Sequence, residues 1–495
     1  MRTASRLFAE PALLSIGMAL AISGSLLAQR SAGISGKATD STGASVPGAT
    51  VTVKSTETGA TRVTSTDEGG NFRADAVSLG PQEIHVEKTG FKAAVRTGID
   101  LAVGQDAVVN FTLEVGESAQ SVTVTGEAPI VNTTTASVSG LVSEREIKEL
   151  PLNGRSFDAL ITLNPGAISY TLRSPQTTTN NGNEFSVAGR RPSENMFLLN
   201  GVELGGSSQL ANTPGGVSQN LLGIDAVREF NLLTDTYSAE YGKRAGGQVS
   251  IVTKSGTNAL HGSVFEFLRN GALDARNFFD QNFVPPFRRN QFGGSLGGPL
   301  RRDKLFLFGN YEGFRQSLAT TSVSVVPDQQ AREGLLPNAQ GNYTPVANLN
   351  RNMLPYMALW PLPNGPQLLV NGLPTGAALS YNNPRQTIHE DFGTVRGDYT
   401  ISGRDWFSAI YTIDDGNSLQ PAADPLFASR TTLIMQVASL EETPRIFAPR
   451  PEHLPGGLFP RGLQFRFLSD RCLFSRFGLR HRIRAGWNQH RRHDS

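Results

Sequence analysis

Cysteine is all but missing from these 495 residues, which hold only Cys472. A single thiol closes no intramolecular disulfide and builds no cysteine-based zinc site. Neither sign of charge is in excess: the formal net charge is +2, so bulk electrostatics call for no nucleic acid partner. Histidine is sparse, and His85, His261 and His389 each lack a second ligand at metal-binding spacing, so neither a metal nor any other cofactor is expected. Long apolar runs are missing after residue 30, which excludes a membrane helix of ~20 residues in the mature chain. A chain of this kind embedded in lipid would have to cross as a β-barrel, the other structure that satisfies its own backbone there.

One apolar run is present, at the very start. Arg2 and Arg6 precede Ala12 to Leu27, and Ala28 before Gln29 is a plausible cleavage point, so residues 1–28 read as an export signal. Residues 33 to 115 then alternate with period two. Val51 and Val53 flank Thr52, Ile84 and Val86 flank His85, and Val109, Phe111 and Leu113 interleave with polar residues. Turn signals at Asp40–Gly43, Pro47-Gly48, Asp67–Gly70 and Gly80-Pro81 separate these runs, and the block 29–116 is expected to be a small antiparallel sandwich. A linker, 117–129, follows; within it Ser121, Val122, Thr123, Val124 and Thr125 form a short alternating stretch.

Ser143 and Glu146 have capping-box spacing and Pro151 stops the helix they would start. Phe185 to Arg191, Asn195 to Val202 with Asn200-Gly201 at a tight turn, Val227 to Leu232 and Gln248 to Thr253 read as strands. Beyond Lys254, Ser255, Gly256, Thr257 and Asn258 the strands lengthen: Gly262 to Asn270, Leu305 to Glu312, and Thr394 to Ile401 paired with Asp405 to Ile413. Val395, Gly397, Tyr399 and Ile401 face one way and Arg396, Asp398 and Thr400 the other, as in a barrel wall with apolar residues outward. Gly293-Gly-Ser-Leu-Gly297 has the spacing of a nucleophile elbow, but Gly298-Pro299 forbids the helix that must follow, and no paired carboxylates stand out, so no enzyme is expected.

The stretch from Ala239 to Ser263, with Tyr241-Gly242, Gly246-Gly247 and Lys254 to Asn258, resembles the plug-to-barrel junction of TonB-dependent outer-membrane receptors of the Oar-like group. Gly36–Asp40, Val46–Val51, Thr66–Phe72 and Gly90-Phe91 resemble the carboxypeptidase-regulatory-like domain that precedes the plug in that group. The resemblance implies a mainly β chain: a sandwich, an α+β plug at 130–255 and the beginning of a transmembrane barrel at 256–443. It implies export to the outer membrane of a Gram-negative bacterium, uptake of a scarce substrate, and as partners a TonB-type energy-coupling protein, outer-membrane lipid and the barrel-assembly machinery. Ser121–Thr125 is similar to the TonB box that pairs by strand addition; an ordinary sandwich edge strand or a simple connector is the equal alternative. Gly205 to Gln219 would be an exposed plug loop. The second function class is a cell-surface adhesin whose sandwich binds carbohydrate or protein.

Residues 444–495 differ from the rest, with eleven arginines and four histidines against Glu452, Asp470 and Asp494. A basic arm, a divergent loop and a change of reading frame near Thr443 compete, and the last is favoured because strand periodicity stops. A plug-holding barrel has about 22 strands of ~9–11 membrane residues, more than Gly256–Thr443 supplies. The chain as written is therefore expected to be truncated and not to transport.

Overall fold

Alternation of small β-branched residues with polar ones builds two facing sheets at the N-terminal end of the computed structural model. The structure describes residues 32–116, 121–125, 138–152, 155–169, 183–204, 214–237, 241–278, 280, 284–401, 406–422, 427–443 and 464–479. The export segment 1–28, most of the linker, Gly205 to Thr213 and most of the basic tail lie outside the described residues.

The sandwich strands are β1 (Ala32–Asp40), β2 (Thr50–Ser55), β3 (Thr61–Ser65), β4 (Asn71–Val77), β5 (Gly80–Glu87), β6 (Ala93–Leu101), β7 (Asp106–Val108), β8 (Phe111–Leu113) and β9 (Ser121–Thr125). One sheet runs β4-β1-β7 with β8 also on β1, the other β3-β2-β5-β6-β9. Ile34, Val51, Ile84, Val86 and Ile99 lie wholly buried between them. The expected antiparallel sandwich is corrected to a mixed one: β7 and β8 pair with β1, and β9 with β6, in parallel. Period two marks which face is buried and carries no record of strand direction.

In the plug, β10 (Val138–Val142) leads to the helix α1 (Glu144–Glu149), and the capping box is formed reciprocally by Ser143 and Glu146. A 3₁₀ turn at Phe157–Leu163 follows. The strands β11 (Ala167–Ser169) and β12 (Phe185–Val187) pair with each other. The strands β13 (Met196–Leu199) and β14 (Val202–Glu203) join across Asn200-Gly201, both at positive φ as a two-residue hairpin requires. The main sheet is β10-β15-β16-β13-β14, with β15 at Val227–Asp235 and β16 at Gln248–Thr253. All six residues of β16 are buried: the strand is central in the sheet, and Val249 and Ile251 join the cluster around Phe157, Phe185, Phe197 and Phe230.

Seven long strands follow: β17 (His261–Asn270), β18 (Phe287–Arg301), β19 (Leu305–Ala319) and, after an insertion, β25 (Arg385–Thr400), β26 (Trp406–Pro421), β27 (Phe427–Thr443) and β28 (Gln464–Leu479). The insertion carries β20 (Ser322–Pro327), β21 (Leu335–Pro337), β22 (Tyr343–Pro345), β23 (Gln367–Val370) and β24 (Leu373–Asn382). The seven pair antiparallel in chain order, β17-β18-β19-β25-β26-β27-β28. Gly293–Gly297 lies inside β18, where no helix follows, as the glycine-proline pair demands. From β18 onward the strands of the wall run 15 to 17 residues, longer than the eight or nine read from alternation. Val395 and Tyr399 point out and are exposed while Arg396 and Asp398 are buried inside, as expected of a wall. The basic tail, where periodicity was expected to stop, supplies β28, which pairs with β27 from Phe427↔Leu479 to Glu441↔Gln464. Phe465 and Phe467 alternate with Gln464 and Arg466 there, a pattern that the arginine-rich composition obscures.

The turn between β18 and β19 lies at the end of the wall nearest the sandwich. Arg302 to Lys304 joins β18 to β19, and Asp303 hydrogen-bonds Asn258. Connections 271–286 and 320–384 lie at the other end of the strands.

Candidate functional site

Two places join separate parts of the chain through polar side chains: the junction after β16 and the seat of the plug on the inner wall. At the junction, Lys254 is buried, donates its backbone N–H to Ala226 O at 2.7 Å, and holds its Nζ 3.0 Å from Glu144 Oε1. Burial pulls the Lys254 ammonium down to about 8 although Glu144 opposes it. Burial works against the Glu144 carboxylate too, but Lys148 and Lys254 outweigh it and hold its pKa below the ordinary value. The Ser255 hydroxyl donates to Gly256 O, and Thr257 Oγ1 donates to Ala259 O, both at 2.9 Å. Gly256 crosses the β18–β19 hairpin so closely that a Cβ would lie 2.6 Å from Leu307 O and 2.7 Å from Gly298 O. Asn258 faces two ways: its N–H donates to Glu57 O of the sandwich at 2.9 Å, and its amide to Asp303 Oδ1 at 2.8 Å. The five junction residues are thus one knot of plug, sandwich and wall.

The plug seat is richer in charge. Arg155, at positive φ just before the 3₁₀ turn, places Nη2 2.6 Å from Asp225 Oδ2 and Nε 3.8 Å from Glu312 Oε1 of β19. Its guanidinium lies over the rings of Phe265 at 3.9 Å and Phe267 at 4.8 Å. Glu312 also accepts from Gly223 N at 2.9 Å and from Gln291 at 2.6 Å, and Asp225 accepts from Ser263 at 2.7 Å. Glu390 accepts from Ser218 N at 2.8 Å, and Arg396 donates to Thr253 O at 2.7 Å while paired with Asp398. Two apolar contacts complete the seat: Val217 and Leu222 of the plug on Phe314, Ile388 and Phe392 of the wall, and Val437 of β27, with Met435 beside it, in the plug's main core cluster. Gly223 needs its φ of +89°, and a Cβ there would meet the Phe392 ring at 2.3 Å. Among the described residues no group of histidine, cysteine, aspartate or glutamate could hold a metal ion.

This geometry corrects one expectation. Residues 214–219 of the proposed exposed loop are pressed against the wall, with Val217 only 6% exposed. Glycine, serine and asparagine there permit close backbone approach: a Cβ on Gly216 would fall 1.4 Å from Glu390 Oε1. Sequence reasoning gave no role to Arg155, Asp225, Glu312 or Glu390. The available signal was a carboxylate on the inward phase of a barrel strand, as at Glu312 after Phe306, Phe308 and Asn310, all buried.

Three families match the chain in this order: a carboxypeptidase regulatory-like domain at 33–114, a TonB-dependent receptor plug domain at 130–249 and an outer membrane beta barrel domain at 252–449. The chain carries the plug domain of a TonB-dependent receptor followed by an outer membrane barrel domain. It is 29% identical over 262 residues to the TonB-dependent transporter Oar of Myxococcus xanthus, covering 50% of this chain and 23% of that protein. It is 25% identical over 226 residues to the probable TonB-dependent siderophore receptor PirA of Acinetobacter baumannii, covering 44% and 28%. The matches thus span about a quarter of the length of these relatives. Among solved structures, the outer membrane transporter YddB from Escherichia coli aligns with a TM-score of 0.39 and 11% identity, over 63% of this chain and 37% of that one. The receptor's place is the Gram-negative outer membrane.

The receptor's candidate coupling strand, Ser121 to Thr125, is β9, the edge of the five-stranded sandwich sheet. Residues 121–125 pair there with Ala93–Thr97 in parallel, the place in the fold that the edge-strand alternative describes. The sandwich in turn is docked on the plug. Arg228 of β15 donates to both Glu57 oxygens at 3.0 and 3.4 Å, Val103 N donates to Glu229 Oε1 at 2.6 Å, and Asn231 donates to Val103 O at 3.2 Å. Burial pushes the Glu229 carboxyl up to about 7, against the pull of the Val103 N–H and of Arg228.

Proposed function

We propose that the receptor to which these domains belong takes up a scarce substrate across the outer membrane, driven by a TonB-type energy-coupling protein that acts on Ser121–Thr125, and that it reaches the membrane through the barrel-assembly machinery. The observation that carries the reading is the plug seat. Plug and wall meet through Arg155, Asp225, Glu312 and Glu390, joined by hydrogen bonds beside the apolar contacts of Val217 and Leu222 and of Val437. Such a contact exchanges for water far more readily than an apolar core of equal area would, which suits a plug that must move and return. No bond in the substrate is made or broken in this cycle, and no cofactor takes part.

The adhesin reading is not favoured, because a soluble surface protein has no use for a sheet that exposes Val395 and Tyr399 outward while burying Arg396 and Asp398 within. The test is in-cell crosslinking. A photoreactive residue at Val122 or Val124, in the receptor encoded in its native bacterium, is expected to trap the energy-coupling protein. A receptor that reaches the outer membrane yet traps no such protein from either position would refute the coupling assignment.

A further inference from the structure

We propose that the energy-coupling partner grips Ser121–Thr125 while that strand stays in the sandwich, so that the pull reaches the plug through the sandwich domain. This rests on the receptor reading above and concerns how its coupling strand is presented.

The strand β9 is laid against β6 over five consecutive register pairs, from Ala93↔Ser121 to Thr97↔Thr125. Among the described residues it pairs with β6 alone, so its second edge is open. A partner strand that displaced β6 would lose one ladder to gain another. A partner that added to the open edge would gain a ladder and lose none, extending the sheet from five strands to six. Direction matters as well. A pull along the axis of β9 runs across the hydrogen bonds of this ladder and so loads them in shear.

Beyond the ladder the sandwich has its own attachments to the plug. The strand β6 ends at Leu101, and two residues on the buried Val103 both donates to Glu229 and accepts from Asn231 of β15. Glu57, after β2, clasps Arg228 with its carboxylate and the junction residue Asn258 with its carbonyl. These contacts grip β15 and the junction, and β15 is laddered to β16, which runs directly into Lys254. A continuous route of ladders and charge-assisted bonds therefore links the coupling strand to the junction, in parallel with the peptide that follows Thr125.

The experiment pins the strand in place. Arg96 and Val124 are register partners, and R96C with V124C, in a C472S background, joins β9 to β6 on oxidation. The probe is the purified periplasmic domain of a TonB-type protein, titrated against the full chain in detergent, oxidised and reduced. Equal affinity within about twofold is expected. Binding that appears only on reduction would overturn the proposal, since the strand would then have to leave the sandwich. A second reading needs no disulfide: amide exchange at Ala93–Thr97 is expected to stay slow when the probe binds, and acceleration there would overturn the proposal equally. Failure of the unsubstituted receptor to bind the probe would instead sink the coupling assignment itself.

Discussion

Glu229 makes the docking of the sandwich on the plug dependent on pH. Its carboxyl is buried at the interface, holds the Val103 N–H at 2.6 Å, and is pushed from 4.5 up to about 7 mainly by burial. Undocking returns it to water and to an ordinary carboxylate value. A raised acid pKa means that the docked state takes up a proton, so its contribution to docking is complete below about 4.5 and is lost as pH rises toward 7. The shift of roughly 2.5 units, at about 1.4 kcal/mol each, sets a ceiling of ~3.5 kcal/mol, or about 300-fold in the docking equilibrium. Asp100, also raised by burial and opposed by Arg228, acts in the same direction. Hydrogen exchange at the Val103 and Asn258 amides, corrected for the intrinsic effect of pH, is expected to show stronger protection at pH 5 than at pH 8. In Glu229→Gln, which cannot ionise, most of that difference disappears. Equal pH dependence in the variant, or protection that rises with pH, would refute the reasoning.

Three other perturbations follow from the seat and the junction. Arg155→Met leaves Asp225 and Glu312 buried without their cation; a cost of about 3–5 kcal/mol is expected, read as a plug that proteases cut in intact outer membranes, and an uncut plug would show that the seat does not need the charge. Gly256→Ala drives a Cβ into two backbone carbonyls and is expected to lower the yield of assembled, protease-resistant receptor, whereas Gly309→Ala, with open space at its Cβ, leaves the yield unchanged. Ser143→Ala removes the capping box and is expected to cost the plug about 1 kcal/mol in urea unfolding, with an unchanged midpoint counting against the cap.

Much of this receptor was legible along the chain because its causes are local. Val395 to Ile401 declare an inner and an outer face through alternation alone, Ser143 and Glu146 lie three residues apart, and Asn200-Gly201 is the pair a two-residue hairpin selects. The order of sandwich, plug and wall was equally visible, since each change of pattern marks a change of surroundings. What the tertiary structure decided depends on residues far apart. Arg155 finds Asp225 and Glu312, Arg228 finds Glu57, and Ser218 finds Glu390, pairs between 70 and 172 positions apart. No short-range pattern distinguishes such a charge from one that faces water, because its partner is fixed only when sandwich, plug and wall meet. The same holds for β9: five alternating residues suit a free coupling segment and a sandwich edge alike, and only the open edge of β6 determines where they lie.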